Sequence, residues 1–98
     1  MTARTLADSA IVVTASDILI GEFGDELVIL NLRDGVYHGL EDVGARIWTL
    51  LKQPVTLGSI CDALVSEYDV ERKRCERDVR ALVGDLVAKG LVEIREHS

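Results

Sequence analysis

The amino-acid sequence predicts an α+β fold: a small antiparallel β-sheet, built from a hairpin and a short N-terminal strand, followed by three helices. Three observations carry this. Asp34-Gly35 sits between two apolar, strand-like runs. Apolar residues then recur at helical spacing in three successive segments. A short apolar run, Leu91-Val92-Glu93-Ile94, follows the last of them beyond Gly90. With 98 residues the chain is long enough for one domain and too short for two, so 1–98 is expected to form a single unit in which 1–10 fray.

Taken in order, Ile11-Val12-Val13 is β-branched and reads as a short strand. Ser16 to Glu26 mixes an apolar triplet with Gly21, Gly24 and Asp25, which reads as a bend or a short irregular strand ending in a turn. Leu27 to Leu32 is a strand by its apolar content. Asp34-Gly35 favours a two-residue type I′ turn, because both residues tolerate φ > 0. That turn would pair Leu32 with Tyr37, Asn31 with His38, Leu30 with Gly39 and Ile29 with Leu40. Alternation then puts Val28, Leu30, Leu32, Tyr37 and Gly39 on one apolar face, and Ile29, Asn31, Arg33, Val36, His38 and Leu40 on a mixed one.

Glu41 or Asp42 opens the first helix, whose stripe is Val43, Ile47, Leu50 and Leu51 with Trp48 beside it, and Gln53-Pro54 ends it. Thr56 caps the second, with Leu57, Ile60, Cys61, Leu64, Val65 and Tyr68 as its stripe. Asp69 caps the third, where Cys75, Val79, Leu82, Val83, Leu86 and Val87 repeat at helical spacing until Gly90 closes it. A helix, a tight turn, a longer helix and a trailing strand are similar to a winged helix-turn-helix.

Composition excludes several functions. The net charge of −6 and the pI near 4.8 argue against a protein that coats nucleic acid, since phosphate contact needs basic surface. No run approaches the roughly 18 apolar residues of a membrane span, and the N-terminus lacks a signal-peptide core, so a cytoplasmic location is expected. Cys and His total four, scattered at positions 38, 61, 75 and 97, so no metal site is expected. Phosphate-cradling, dinucleotide and hydrolase motifs are absent. His38 is the one histidine inside predicted structure, and neither Ser59 nor Cys61 has a general base nearby in sequence. The expectation is a protein without catalytic residues or cofactor, and not an enzyme.

Two features remain for binding. The third helix carries Arg72, Lys73, Arg74, Arg77 and Arg80, which in a winged helix would face DNA. Glu71, Glu76, Asp78 and Asp85 interleave with them, as on a self-paired surface. The second feature is Val36–Leu40, a short strand running straight into a helix. It has neither Pro nor Lys to blunt an edge, so it suits recognition by strand addition, unless the N-terminal strand or the final strand covers it.

At this point "LNLRDGVYHGLEDVGARIWTLL", "TLGSICDALVSEYDV" and "ERDVRALVGDLVAKGLVEI" resemble the PqqD-like family, the peptide-recognition domains of ribosomal-peptide biosynthesis. The likeness covers about 29–94, and DGxYxxL, GAxIWxLL and LVxKGLV are specific in combination. The chain departs from the family at Glu41, where Asn is usual. A chain of this length looks most like the discrete recognition proteins of lasso-peptide clusters. The resemblance implies binding of a precursor's leader peptide as an added strand on the outer strand of the hairpin, followed by delivery to a leader peptidase and a cyclase. Carried over by position, Val36, Tyr37, His38, Gly39 and Leu40 form the pairing strand. Arg74, Cys75, Asp78, Val79, Leu82 and Leu86 supply a groove wall, and Leu32 and Tyr37 a pocket for an anchor side chain. Arg72, Arg74 or Arg77 would steer an acidic leader. A monomer or a weak homodimer formed through the edge strand is expected. A DNA-binding winged-helix regulator, and an adaptor that joins two enzymes, stand as alternatives.

Overall fold

Residues 7–95 are described by the structure, a computed structural model. Of the ten N-terminal residues expected to fray, 1–6 lie outside the described residues. The next four are pinned: Leu57 N–H donates to the Ala10 carbonyl at 3.1 Å, Gly58 N–H to that of Asp8 at 3.0 Å, and the Asp8 carboxylate pairs with Arg80.

Nine elements follow in order: β1 (Ile11–Thr14), β2 (Ile18–Phe23), β3 (Glu26–Asn31), β4 (Val36–Leu40), α1 (Asp42–Leu50), β5 (Val55–Thr56), α2 (Leu57–Glu67), α3 (Arg72–Ala88) and β6 (Val92–Arg95). The α+β class is as the sequence predicts, but the strands divide into two antiparallel sheets, ordered β5-β1-β6 and β2-β3-β4. The N-terminal strand therefore does not extend the hairpin. It pairs with β6, Val12 opposite Ile94, across some eighty residues of chain. The hairpin's third strand is instead β2, the segment expected to bend. Gly21 does not break it, because the Phe23 ring folds over that position, 2.8 Å from where a Cβ would stand.

The β3–β4 register is shifted by two residues from the type I′ expectation: Asn31 faces Val36, Leu30 faces Tyr37 and Val28 faces Gly39. The loop has four residues, 32–35, because side chains hold it open. Asn31 Oδ1 accepts from Arg33 N–H at 2.9 Å, and Asp34 Oδ1 accepts from Val36 N–H at 2.9 Å. Gly35, at φ 72, donates its N–H to the Asn31 carbonyl at 2.8 Å. A shift of two preserves which residues share a face. The mixed face is the one that packs inward, with Leu27, Ile29 and Asn31 buried and His38 and Leu40 half-buried. The apolar face turns outward and exposes Leu19 and Tyr37.

The helices bury one stripe each into a shared core that contains Ile47, Trp48, Leu51, Ile60, Leu64, Val79, Val83 and Leu86. Each fully buried aliphatic contributes about 1.5–3 kcal/mol. Thr56 caps α2, its hydroxyl accepting from Ser59 N–H at 3.1 Å. α3 starts later than expected, with Glu71 rather than Asp69 at its N-cap. Asp69 falls in a turn, in which Val70 N–H donates to the Tyr68 carbonyl. At the other end Gly90, at φ 75, lets Leu91 N–H reach back to the Leu86 carbonyl.

Asn31 is the one buried polar residue among those described. Its Nδ2 donates to the Lys89 carbonyl at 3.0 Å, and Arg33 Nη2 donates to that of Gly90 at 3.1 Å. The hairpin loop thus satisfies carbonyls left open at the end of α3. It also fixes β4 at a set distance from that helix. No described helix is long and apolar enough to cross a membrane.

Candidate functional site

In the order β2-β3-β4, one side of β4 pairs with β3 and the other pairs with nothing among the described residues. β1 and β6, which might have covered it, are committed to the other sheet. An open edge presents alternate N–H and C=O groups to an incoming chain.

At the Gly39–Leu40 end of this edge lies a groove of about 910 Å³. Leu40 at the end of β4, Ile47 on α1 and Leu64 on α2 line it, with Cys75, Val79 and Leu82 on α3 opposite. Its rim holds Val43, Tyr68 and Val70, which are 42%, 39% and 41% exposed. Three large apolar side chains left half in water around one concavity mark a surface built to be covered. At Gly39 a Cβ would meet nothing within 4 Å, so space for a partner's side chain is open there.

The junction between β4 and α1 is strained. Glu41, the N-cap, makes no side-chain capping bond, and Asp42 sits at φ 54. Asp is among the few residues that tolerate this region. The sharp reversal brings α1 directly against the strand, where Gly44 lets Leu40 and Leu82 approach to 3.5 and 4.0 Å of a notional Cβ.

The structure sorts the sequence-derived site residues. Gly39, Leu40, Arg74, Cys75, Asp78, Val79 and Leu82 all line the groove. Val36, Tyr37 and His38 lie on the same strand but away from the cavity. Tyr37, 69% exposed, stands on the outer face of the sheet, and the His38 ring turns inward with Nε2 buried and unpartnered. Leu32 is in the exposed loop, and Leu86 is buried in the core. Sequence reasoning missed Glu41, Val43, Tyr68, Val70 and Glu71. A signal existed for three of them: Val43 and Tyr68 lie in apolar stripes wider than a core contact needs, and Val70 is an apolar residue in a linker.

Charge is arranged differently from the expectation of an acidic partner. Arg72 is committed to Asp62 and Glu76, whose hydrogen bonds raise its pKa. Arg74 Nε and Arg77 Nε share Asp78, at 3.8 and 4.0 Å. The basic face of α3 is thus largely paired within the protein. Arg46 and Glu67 tie α1 to α2 at 2.6 Å, raising the pKa of Arg46 and lowering that of Glu67 through their hydrogen bond.

Burial, and secondarily the neighbouring Cys75, pushes the Cys61 thiol up to about 11. A thiol held neutral in this way is a poor nucleophile. Among the described residues no group of three His, Cys, Asp or Glu is placed to hold a metal. The arrangement offers backbone pairing, apolar anchor sites and charge selection.

Comparison with known proteins adds the family and two solved structures of similar fold. The family model for coenzyme PQQ synthesis protein D (PqqD) matches residues 26–92, which span β3, β4, all three helices and the first residue of β6. No match is found among curated proteins. Among solved structures, TbiB1 in complex with the TbiA(beta) leader peptide is 38% identical, with a TM-score of 0.79 over 83% of this chain and 94% of that one. A lasso peptide synthetase B1 complexed with the leader peptide is 32% identical, with a TM-score of 0.76 over 84% of this chain and 96% of that one. With most of its length matched by one family model and its fold shared with both structures, this chain belongs to the PqqD family.

Proposed function

We propose that this protein is a non-catalytic recognition module for the leader segment of a ribosomally made precursor peptide. The leader adds as a strand to the free edge of β4 and seats apolar side chains in the groove between α1 and α3. The protein then presents the bound precursor to separate enzymes, a leader peptidase and a cyclase, in lasso-peptide or related biosynthesis. One observation carries this reading: the unpaired β4 edge runs beside an apolar groove in a chain 38% identical to a protein solved with a leader peptide.

The energetics call for one or two anchors rather than none. Ordering a disordered segment costs about 2–5 kcal/mol. One or two buried apolar side chains at about 1.5–3 kcal/mol each offset it. Backbone pairing fixes direction and register, and pockets supply selectivity. Nothing favours the DNA-binding reading, because the α3 guanidiniums Arg72, Arg74 and Arg77 already have carboxylate partners and Arg74 and Arg77 line the groove.

Fluorescence anisotropy tests the proposal. The probes are the labelled TbiA(beta) leader and the leader of the precursor encoded beside this protein, with scrambled leaders and a random DNA duplex as controls. Saturable binding of a leader at micromolar or tighter affinity is expected, with the controls silent. A proline scan across Val36 to Leu40 then locates the interface, since N–H groups of alternate strand residues point to opposite edges. One alternating set of prolines should keep the fold, seen by circular dichroism, and lose the leader. Binding of the duplex alone would contradict the proposal.

A further inference from the structure

We infer that the groove selects leaders carrying a basic side chain, Lys or Arg, within a few residues of the apolar anchor. This rests on the leader-binding reading and adds the chemical class of the peptide. The groove is lined by four carboxylates, Glu41, Asp69, Glu71 and Asp78, and by two guanidiniums, Arg74 and Arg77. Both guanidiniums lie within 4.0 Å of the single carboxylate of Asp78. Glu41, Asp69 and Glu71 are exposed and have no side-chain partner among the described residues.

These three carboxylates are interleaved with the apolar rim. Asp69 and Glu71 flank Val70, Tyr68 precedes them, and Glu41 stands two residues before Val43. A second recess, at the C-terminal end of β4, is lined by Glu26 and Glu41 with Gly39 and Leu40 between them. A strand paired with the free side of β4 and passing its Leu40 end therefore meets carboxylates from the start of α1 and, across the groove, from the start of α3, while Glu26 of β3 adds negative charge on the far side of β4.

Lys and Arg suit this layout, because their methylene stems lie along apolar surface while the head reaches outward. An acidic leader would bring like charge against carboxylates without counter-ions. The net charge of −6 adds a long-range pull on a cationic peptide, which speeds encounter at low salt.

The test is a display selection from a random dodecapeptide library against the full chain, repeated against the double variant Glu41→Lys, Glu71→Lys. Groove dependence is checked by loss of binding to Val43→Ser and Val70→Ser, both at exposed rim positions. The expected result is enrichment of Lys or Arg beside Leu, Ile or an aromatic residue by the native chain, and of Asp or Glu by the double variant. A reversal of preference cannot come from unfolding. In a selected synthetic peptide, Lys→Glu should weaken binding to the native chain about tenfold at low salt and strengthen it to the variant. Groove-dependent binders with no charge bias, or with the same sequences selected by both proteins, would overturn the inference and leave leader binding standing. Recovery of no groove-dependent binder would overturn both.

Discussion

The sheet β5-β1-β6 and the sheet β2-β3-β4 each hold three antiparallel strands, yet their edges differ. In the first, β5 has two residues and β6 has four, while the central strand β1 buries Val12 and Val13. Short edges offer little to an incoming strand. In the second, β4 keeps five residues with an unpaired side, no Pro or Lys, and a groove beside it. One sheet joins the two ends of the described chain and closes the core. The other uses its middle strand for the core and leaves an outer strand with a free edge. On the proposed reading, stability and binding fall to different strands, and substitutions should separate them.

The largest effect should come from Ile29→Ala. Ile29 is fully buried at the centre of β3, so the loss should be about 2–5 kcal/mol, read from urea unfolding. A mild effect would mean that the open sheet is only loosely attached, and the comparison would fail. Asn31→Ala comes next at about 1–3 kcal/mol, because the Lys89 carbonyl and the Arg33 N–H lose their buried partner. Since Asn31 also spaces β4 from α3, leader affinity measured by anisotropy should fall well below that of a variant of equal stability altered elsewhere.

How much of this was legible in the sequence follows from the range of the forces involved. The helices were, because Cys75, Val79, Val83 and Leu86 announce their buried stripe locally and Thr56 and Gly90 are local end signals. Strand β2 was not, since Gly21 and Gly24 read as turn residues and the covering of Gly21 by Phe23 is a tertiary contact. The register slipped by two because Asp34-Gly35 states where the chain turns but not that the Asn31 side chain widens the loop. The pairing of β1 with β6 spans almost the whole chain and has no local signature. About half of the groove was readable, from the strand and the α3 stripe. The rim left only a weak trace, in apolar stripes wider than a core contact needs, because the exposure of Tyr68 and Val70 depends on where α2 and α3 meet.

Two further substitutions sharpen the closed side of the comparison. The Cys61 thiol ionises near 9.0 in an ordinary setting and at about 11 in the fold. Above pH 9 the unfolded chain therefore holds fewer protons than the native one, and stability should fall as pH rises from 9 toward 11. The loss should be on the order of 1–3 kcal/mol. Unfolding midpoints measured across that range should show the slope, and Cys61→Ala should flatten it. The smallest effect is Thr56→Ala, which removes the α2 cap at a cost of about 1 kcal/mol. It should lower thermal stability slightly and leave leader affinity unchanged, which makes it the natural control for Asn31→Ala.

The central claim is that the leader pairs with the free edge of β4. Amide hydrogen exchange with and without saturating leader, read residue by residue by NMR, tests it most directly. The account predicts that the alternate amides of Val36 to Leu40 that point away from β3 exchange freely in the unbound protein and become strongly protected in the complex. The β5-β1-β6 sheet should stay unchanged. Protection confined to β1, β6 or the outer face around Leu19 and Phe23, with the β4 edge still exchanging, would contradict it.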